Sequence, residues 1–219
     1  IIGVGLNDET VLILAKETSL KFALVVYLRF IRDFGKICYG VSEDEFEKVQ
    51  RRRGIQELDI NVIEDSQIRA LIDLIYYFQM EYPVDRRFPQ DVNEQLEESI
   101  KGVFNSRNNT QAVLYRRQKG IDDNIETAVI VQQAIYGDLN KNSGSAVLVT
   151  GNPYTCEDKT LGYYLVQVPC SFLMTGKTNY NYNPIKEGIR DIDPINDILG
   201  CSIDFAGWKQ VLRSNGLNP

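Results

Sequence analysis

Tyr115, Arg116 and Arg117 stand together in the middle of the chain, and another cation, Lys177, lies well beyond them. Guanidinium and ammonium groups neutralise phosphate oxygens, so this set can face a phosphate, although a solvated strand end accounts for it as simply. Arg51-Arg52-Arg53 is a second cationic cluster. It reads as an exposed helix end, where cations complement the dipole, with an anionic partner as the other use. The chain has no histidine, which removes Ser-His-Asp and Cys-His triads and every His-based zinc or haem site. Cys38, Cys156, Cys170 and Cys201 show no CxxC spacing, against a zinc ribbon or a thioredoxin motif. A chain of this length builds a core without disulfides, so the thiols are expected to be reduced. Neither GxGxxG nor GxxxxGK[ST] occurs, so a Rossmann or P-loop site is not expected. The Tyr163-Tyr164 and Tyr180-Asn181-Tyr182 aromatics can pack a face or bind a partner.

Among 219 residues, 43% are apolar and 25% charged, ordinary globular usage that excludes wholesale disorder. Lys and Arg total 24 against 30 Asp and Glu, a net charge of −6, and a nucleic-acid binder would show the opposite balance. No apolar run approaches the ~18 residues of a membrane helix. Asn7, Asp8 and Glu9 interrupt the start before a secretory leader could form, so neither a membrane nor export is expected and the cytoplasm is the expected setting. Ile1 in place of Met reads as an excised or processed piece, or as a chain that lacks its start.

The elements that must position these groups change character along the chain. Residues 7–108 read as helical. Asn7 or Asp8 can cap a helix bearing Val11, Leu14 and Ala15. A second helix is predicted over 20–34, with Gly35 placed to end it. Ser42 and Glu45 form a capping-box signature before Phe46 and Val49. Residues 65–82 carry Ile68, Leu71, Ile72, Ile75, Tyr76 and Gln79 as an amphipathic stripe closed by Pro83, and 91–107 carry Leu96, Ile100, Val103 and Phe104 on one face. Beyond this, 112–116, 128–136, 145–150 and 161–168 are short runs rich in Val, Ile, Tyr and Leu, separated by turn chemistry such as Lys119-Gly120. They read as an antiparallel meander. Residues 179–184 form an Asn/Tyr-rich connector, and 203–212 can make a short terminal helix. The expected fold class is α+β: a helical subdomain over 1–108, a β-rich part over 109–183, and a connector with a short helix over 184–219.

One family is matched by a long ordered series of residues. Gly5-Leu6-Asn7-Asp8-Glu9-Thr10-Val11, Phe22-Ala23, Tyr27, Arg29-Phe30-Ile31 and Phe34-Gly35 open it. It resumes at Phe88-Pro89-Gln90-Asp91, Glu94-Gln95-Leu96, Val103-Phe104 and Tyr115-Arg116-Arg117. Gly120-Ile121, Thr127-Ala128-Val129, Val131-Gln132, Ser143-Gly144 and Asn152-Pro153 complete it. Across residues 5–176 this series resembles the nucleotide-binding region of pyruvate phosphate dikinase. The resemblance implies an ATP-grasp fold, of which this chain would hold the helical subdomain and the β-rich half. It implies Mg²⁺ and ATP as the family's cofactors, and transfer of a phosphoryl group from ATP through a histidine on a separate domain towards pyruvate and phosphoenolpyruvate. Other domains or chains of a dikinase-like assembly are the implied partners. Gln132, with Ala134 and Ile135, would lie on a strand lining the adenine cleft, though a sheet core explains the apolar members equally well.

Phosphoryl transfer needs carboxylates for Mg²⁺ and cations for the phosphate oxygens. Laid without gaps on residues 150–176 and just beyond, the family's pattern puts Gly151 where it has an arginine and Tyr163 where it has a glutamate. Its Gln-Gly-Glu-Asp run becomes Pro169-Cys170-Ser171-Phe172, and its distal arginine becomes Thr178, with Lys177 beside it. Every expected metal ligand and both arginines are neutral here, so no catalytic or metal-binding residue is assigned. Tyr115, Arg116, Gln132, Ala134, Ile135 and Lys177 remain as nucleotide-binding candidates by resemblance. The expected role is therefore an ATP-binding fragment of dikinase type, resembling a kinase and catalytically inactive. Two alternatives stay open: the ATP-grasp portion of an active phosphotransferase completed by further segments, and a non-catalytic protein-interaction module.

Overall fold

The computed structural model describes residues 2–80, 87–149, 161–175 and 183–184. The chain divides into two compact units, Ile1–Gln133 and Ala134–Pro219. The first is helical among its described residues, and the second holds a small antiparallel sheet.

Helix α1 (Thr10–Glu17) starts where Asn7 takes the amide N–H groups of Glu9 and Thr10 on its side-chain oxygen, at 3.0 and 2.8 Å. Asn7, of the two residues expected to cap, is the one whose oxygen meets the first turn. Helix α2 (Leu20–Cys38) is capped by Ser19, which accepts from the Phe22 amide, and it buries eleven residues from Phe22 to Phe34. It does not stop at Gly35 as expected. Gly40, with φ +70°, provides the left-handed turn instead, and the Val41 amide returns to the Gly35 carbonyl at 3.0 Å. A glycine ends a helix by leaving it, and Gly35 keeps helical geometry.

Helix α3 (Glu43–Arg52) begins at Ser42, which accepts from Glu45 N–H as the capping signature requires, and it buries Phe46 and Gln50. Phe46 stacks on Phe78 of helix α4 (Ile68–Met80), with ring centroids 4.1 Å apart. The connecting loop is tied down by buried side chains: Gln50 Nε2 donates to the carbonyls of Ile55 and Gln56, and Arg29 Nε to that of Leu58. On α4 the buried face is Leu71, Leu74, Ile75, Phe78 and Gln79. Ile72 and Tyr76, expected on the core stripe, face outward. Both registers satisfy helical spacing, and Leu74 and Phe78 decide between them by bringing more apolar surface to α2 and α3.

Helix α5 (Val92–Ser106) starts at Asp91, whose carboxylate accepts from Asn93 and Glu94 N–H. Its most buried residues are Gln95, Ser99 and Gly102, with Leu96, Ile100 and Val103 half-buried and Phe104 exposed. Close approach to α2 explains the small residues: a Cβ on Gly102 would stand 3.1 Å from Ile37 Cγ2 and 3.2 Å from Cys38 Sγ.

Residues 112–116, expected as a strand, lie in helix α6 (Thr110–Lys119). Asn109 accepts from Ala112 N–H at 2.7 Å, and Gly120, at φ +64°, closes the other end. The two caps fix ten residues as helix and outweigh the β-propensity of Val113 and Tyr115. Residues 128–136, also expected as a strand, form neither helix nor ladder.

In the second unit, strand β1 (Gly144–Val149) pairs antiparallel with β2 (Leu161–Val166), Gly144 opposite Val166 and Val149 opposite Leu161. The two-residue strand β3 (Asn183–Pro184) pairs antiparallel with β2 on its other edge. This sheet covers much of the expected strands at 145–150 and 161–168. After Gln167, at φ +55°, the chain enters helix α7 (Cys170–Thr175). Leu165 and Val168 form a buried pair against which Val147 and Phe172 pack. Gly137 lies hard against this corner: a Cβ there would meet Ser145 Oγ at 2.2 Å and the Val168 carbonyl at 2.6 Å. The expected 203–212 helix and Pro83 lie outside the described residues. Among the described residues no helix is long and apolar enough to cross a membrane.

Candidate functional site

The nucleotide-binding candidates fall into separate local settings. Tyr115 and Arg116 sit on α6, not at a strand end. Tyr115 is exposed, and Arg116 is internally engaged. Its Nε donates to Asp123 Oδ1 at 3.0 Å and its Nη1 to the Arg107 carbonyl at 2.7 Å. Arg107 in turn donates to the Asp123 carbonyl. The guanidinium thus closes the loop after α6 back onto the end of α5. A phosphate would have to displace both partners, and a charge-assisted bond such as Arg116–Asp123 is the stronger kind to lose. Arg117 and Lys119 are exposed on the same last turn, where they complement the helix dipole. The role of Arg107 and Asp123 was not foreseen, since a pairing across a seven-residue offset and a loop has no periodic signature.

Gln132, Ala134 and Ile135 share the irregular stretch that was expected to be a cleft strand, and all three are exposed. Lys177, Gly151 and Thr178 lie outside the described residues. Of the positions expected to correspond to the family's acidic run, Pro169 and Ser171 are half-buried and Cys170 is exposed, while Phe172 packs on Leu165 and Val168. Phe172 N–H bonds back to the Pro169 carbonyl at 3.0 Å, which folds this run into the first turn of α7. Among the described residues no group of three or more His, Cys, Asp or Glu side chains is placed to hold a metal ion.

Among the described residues a dense polar network surrounds the segment that precedes α1. Tyr27 Oη donates to Asp8 Oδ1 at 3.0 Å, and Gln79 Nε2 donates to the same oxygen at 2.9 Å. Gln90 Oε1 accepts from Asp8 N–H at 2.9 Å. Burial pushes the Tyr27 phenol far above its ordinary range; the adjacent Asp8 charge adds to this, against the donated bond from Gln90. Gln95, fully buried, donates from Nε2 to the carbonyls of Leu6 and Pro89 and accepts Gly5 N–H on Oε1. Asp8, Tyr27, Gln90 and Gln95 all belong to the matching series, and their place in the structure is a structural one: they fasten residues 5–10 to the helices. Burial also raises the Tyr136 phenol, with the Asp138 charge as a second cause.

The family model described as pyruvate phosphate dikinase, AMP/ATP-binding domain, matches residues 43–168. The pyruvate, phosphate dikinase of Rickettsia prowazekii (strain Madrid E) is 32% identical over 178 residues, 80% of this chain and 20% of that protein. That of Clostridium symbiosum is 30% identical over 225 residues, 98% of this chain and 24% of its own length. The chloroplastic protein of Mesembryanthemum crystallinum is 31% identical over 180 residues, 80% of this chain and 19% of its own. The chain belongs to the pyruvate phosphate dikinase AMP/ATP-binding domain family. It spans about a fifth of the length of these relatives.

Proposed function

We propose that this chain keeps the framework of a dikinase ATP-grasp nucleotide-binding region, the β-rich part lying over 109–183, and has lost the magnesium–nucleotide chemistry. In the family's terms it is a kinase fragment, cytoplasmic, whose ancestral role was phosphoryl transfer from ATP towards pyruvate and phosphoenolpyruvate. As this chain stands it is catalytically inactive. The observation that carries the reading is Phe172. The ungapped laying of the family's pattern puts it at the position of a carboxylate, and it packs against the Leu165–Val168 pair. A benzyl side chain offers no oxygen to Mg²⁺, which takes carboxylates, phosphates and water. Pro169, at the start of the same run, offers none either, and Arg116 is already held by Asp123 and Arg107. Losing one well-aimed electrostatic donor typically costs ~10²–10³ in rate.

Calorimetric titration with ATP, with and without Mg²⁺, tests the proposal. The expected result is no Mg²⁺-dependent binding tighter than about 1 mM, the affinity of a ~4 kcal/mol interaction. Magnesium-dependent binding in the micromolar range would overturn it and favour the working-phosphotransferase reading.

A further inference from the structure

Arg107, at the end of α5, and Arg116, on the last turn of α6, both reach Asp123. Arg116 Nε donates to the Asp123 carboxylate at 3.0 Å, and Arg107 donates to the Asp123 main-chain carbonyl. Arg116 Nη1 also donates to the Arg107 carbonyl at 2.7 Å, which draws the two arginines together. Two guanidinium groups thus share one carboxylate, and like charges set this close need an anion beside them. Arg107 Nε is a buried donor that no group among the described residues accepts. The Arg116 side chain is 13% exposed and that of Asp123 61%, so the carboxylate comes to the pair from its solvent side. Little else holds this corner. Helix α6 buries none of its residues, and the loop's own bonds are local, Asn124 and Ile125 N–H to Asp122 at 2.9 and 3.2 Å.

We propose that Arg107 and Arg116 form an anion site whose built-in occupant is the Asp123 carboxylate, and that a phosphate-class anion exchanges with it and frees the loop after α6. Planar guanidinium forks match carboxylate and phosphate oxygens alike. A phosphate group carries more charge and more acceptor oxygens than Asp123, so it competes for the same donors. Arg117 and Lys119 add positive charge on the same turn, while Asp122 and Glu126 oppose it. Asp123 is in this sense an autoinhibitory contact: it keeps the pair neutralised until a stronger anion arrives. The proposal rests on the reading of Arg116 as a phosphate-facing group and adds what holds that group closed. Its test omits Mg²⁺, so it fails independently of the magnesium titration above.

Calorimetric titration with inorganic diphosphate tests it on the full chain and on D123N, D123N/R116Q and D123N/R117Q. D123N is expected to bind about tenfold tighter than the parent, since the substitution removes a competitor and a repelling charge at once. Adding R116Q should abolish that gain, and adding R117Q should leave it. Arg117 carries the same charge one position on, so the comparison separates the pair from the general charge of the turn. ADP is titrated beside diphosphate: equal affinity assigns a free phosphate as the ligand, and tighter ADP assigns the phosphate of a nucleotide. In the parent, diphosphate should speed hydrogen exchange at Ile121, Asn124 and Ile125 relative to sodium chloride at equal ionic strength, with far-UV dichroism unchanged. A D123N variant that binds no tighter than the parent, or binding that R116Q and R117Q weaken alike, overturns the proposal. Exchange no faster in diphosphate than in sodium chloride overturns it too.

Discussion

Gln95→Ala should be among the most damaging single substitutions in the helical unit, although Gln95 touches no proposed ligand. The carboxamide is completely buried and makes three hydrogen bonds to main-chain groups far apart in sequence: it donates to Leu6 O and Pro89 O at 2.8 Å each and accepts from Gly5 N at 3.0 Å. Truncation leaves one half-buried N–H and two buried carbonyls without their partner. Each such group costs about 1–3 kcal/mol when water does not reach it. The loop groups at 5–6 have some access to solvent once the side chain is gone, so about 3 kcal/mol in total is the appropriate magnitude. For a chain of this size that lowers the melting temperature by about 6–12 °C. Urea unfolding followed by dichroism at 222 nm measures it. Gln95→Glu, nearly the same shape, should be worse, because a carboxylate oxygen would face two carbonyls with no proton to donate. A Gln95→Ala loss below about 1 kcal/mol, or a Gln95→Glu variant as stable as the parent, would refute the assignment of these bonds as the fastening of residues 5–10.

Two further outcomes are expected. Gly137→Ala should loosen the sheet of the second unit, since the new methyl would overlap Ser145 Oγ and the Val168 carbonyl. Overpacking of this kind costs about 1–3 kcal/mol, visible as faster hydrogen exchange in β1 and β2, and unchanged protection there would contradict the close approach. Burial, opposed by the nearby Ser99 hydroxyl and aided by the Glu98 charge, holds the Cys38 thiol at about 11, above its ordinary 9.0. Its alkylation in the native protein, followed by mass spectrometry of its peptide, should keep rising with pH up to about 11 instead of levelling near 9. By linkage this group favours the native state below about 9 and ceases to do so as pH climbs through 11. An alkylation profile that levels near 9 would place the thiol in solvent.

How far the sequence could be read depended on where the specifying signal lies. Helix α3 was legible because cap and stripe occur together, Ser42 with Phe46, and α2, α4 and α5 were legible from their apolar stripes. The face of α4 was only partly legible, because Ile72 and Tyr76 fit helical spacing as well as Leu74 and Phe78 do, and only packing chooses. Helix α6 was misread for a different reason. The run Ala112, Val113, Leu114, Tyr115 has strand composition, and its caps, Asn109 and Gly120, lie outside the run, Gly120 reading as turn chemistry. The strand expected at 128–136 has every local feature of one and no ladder among the described residues, since a strand is completed by a neighbour that its own residues cannot supply. At the site, an expected substitution could be written from the residues and engagement could not. The ungapped laying of the family's pattern puts Phe172 at a carboxylate's position, whereas the hold of Asp123 on Arg116 is visible only in three dimensions.

Helix α2 touches α1, α3, α4 and α5, with ten successive buried residues from Phe22 to Ile31. It is an axle, and the others are mounted on it. Wiring of this sort has no graceful failure: a fault in α2 leaves its neighbours without purchase, so this half of the chain should come apart in a single step, with no half-assembled helical bundle surviving for a protease to trim.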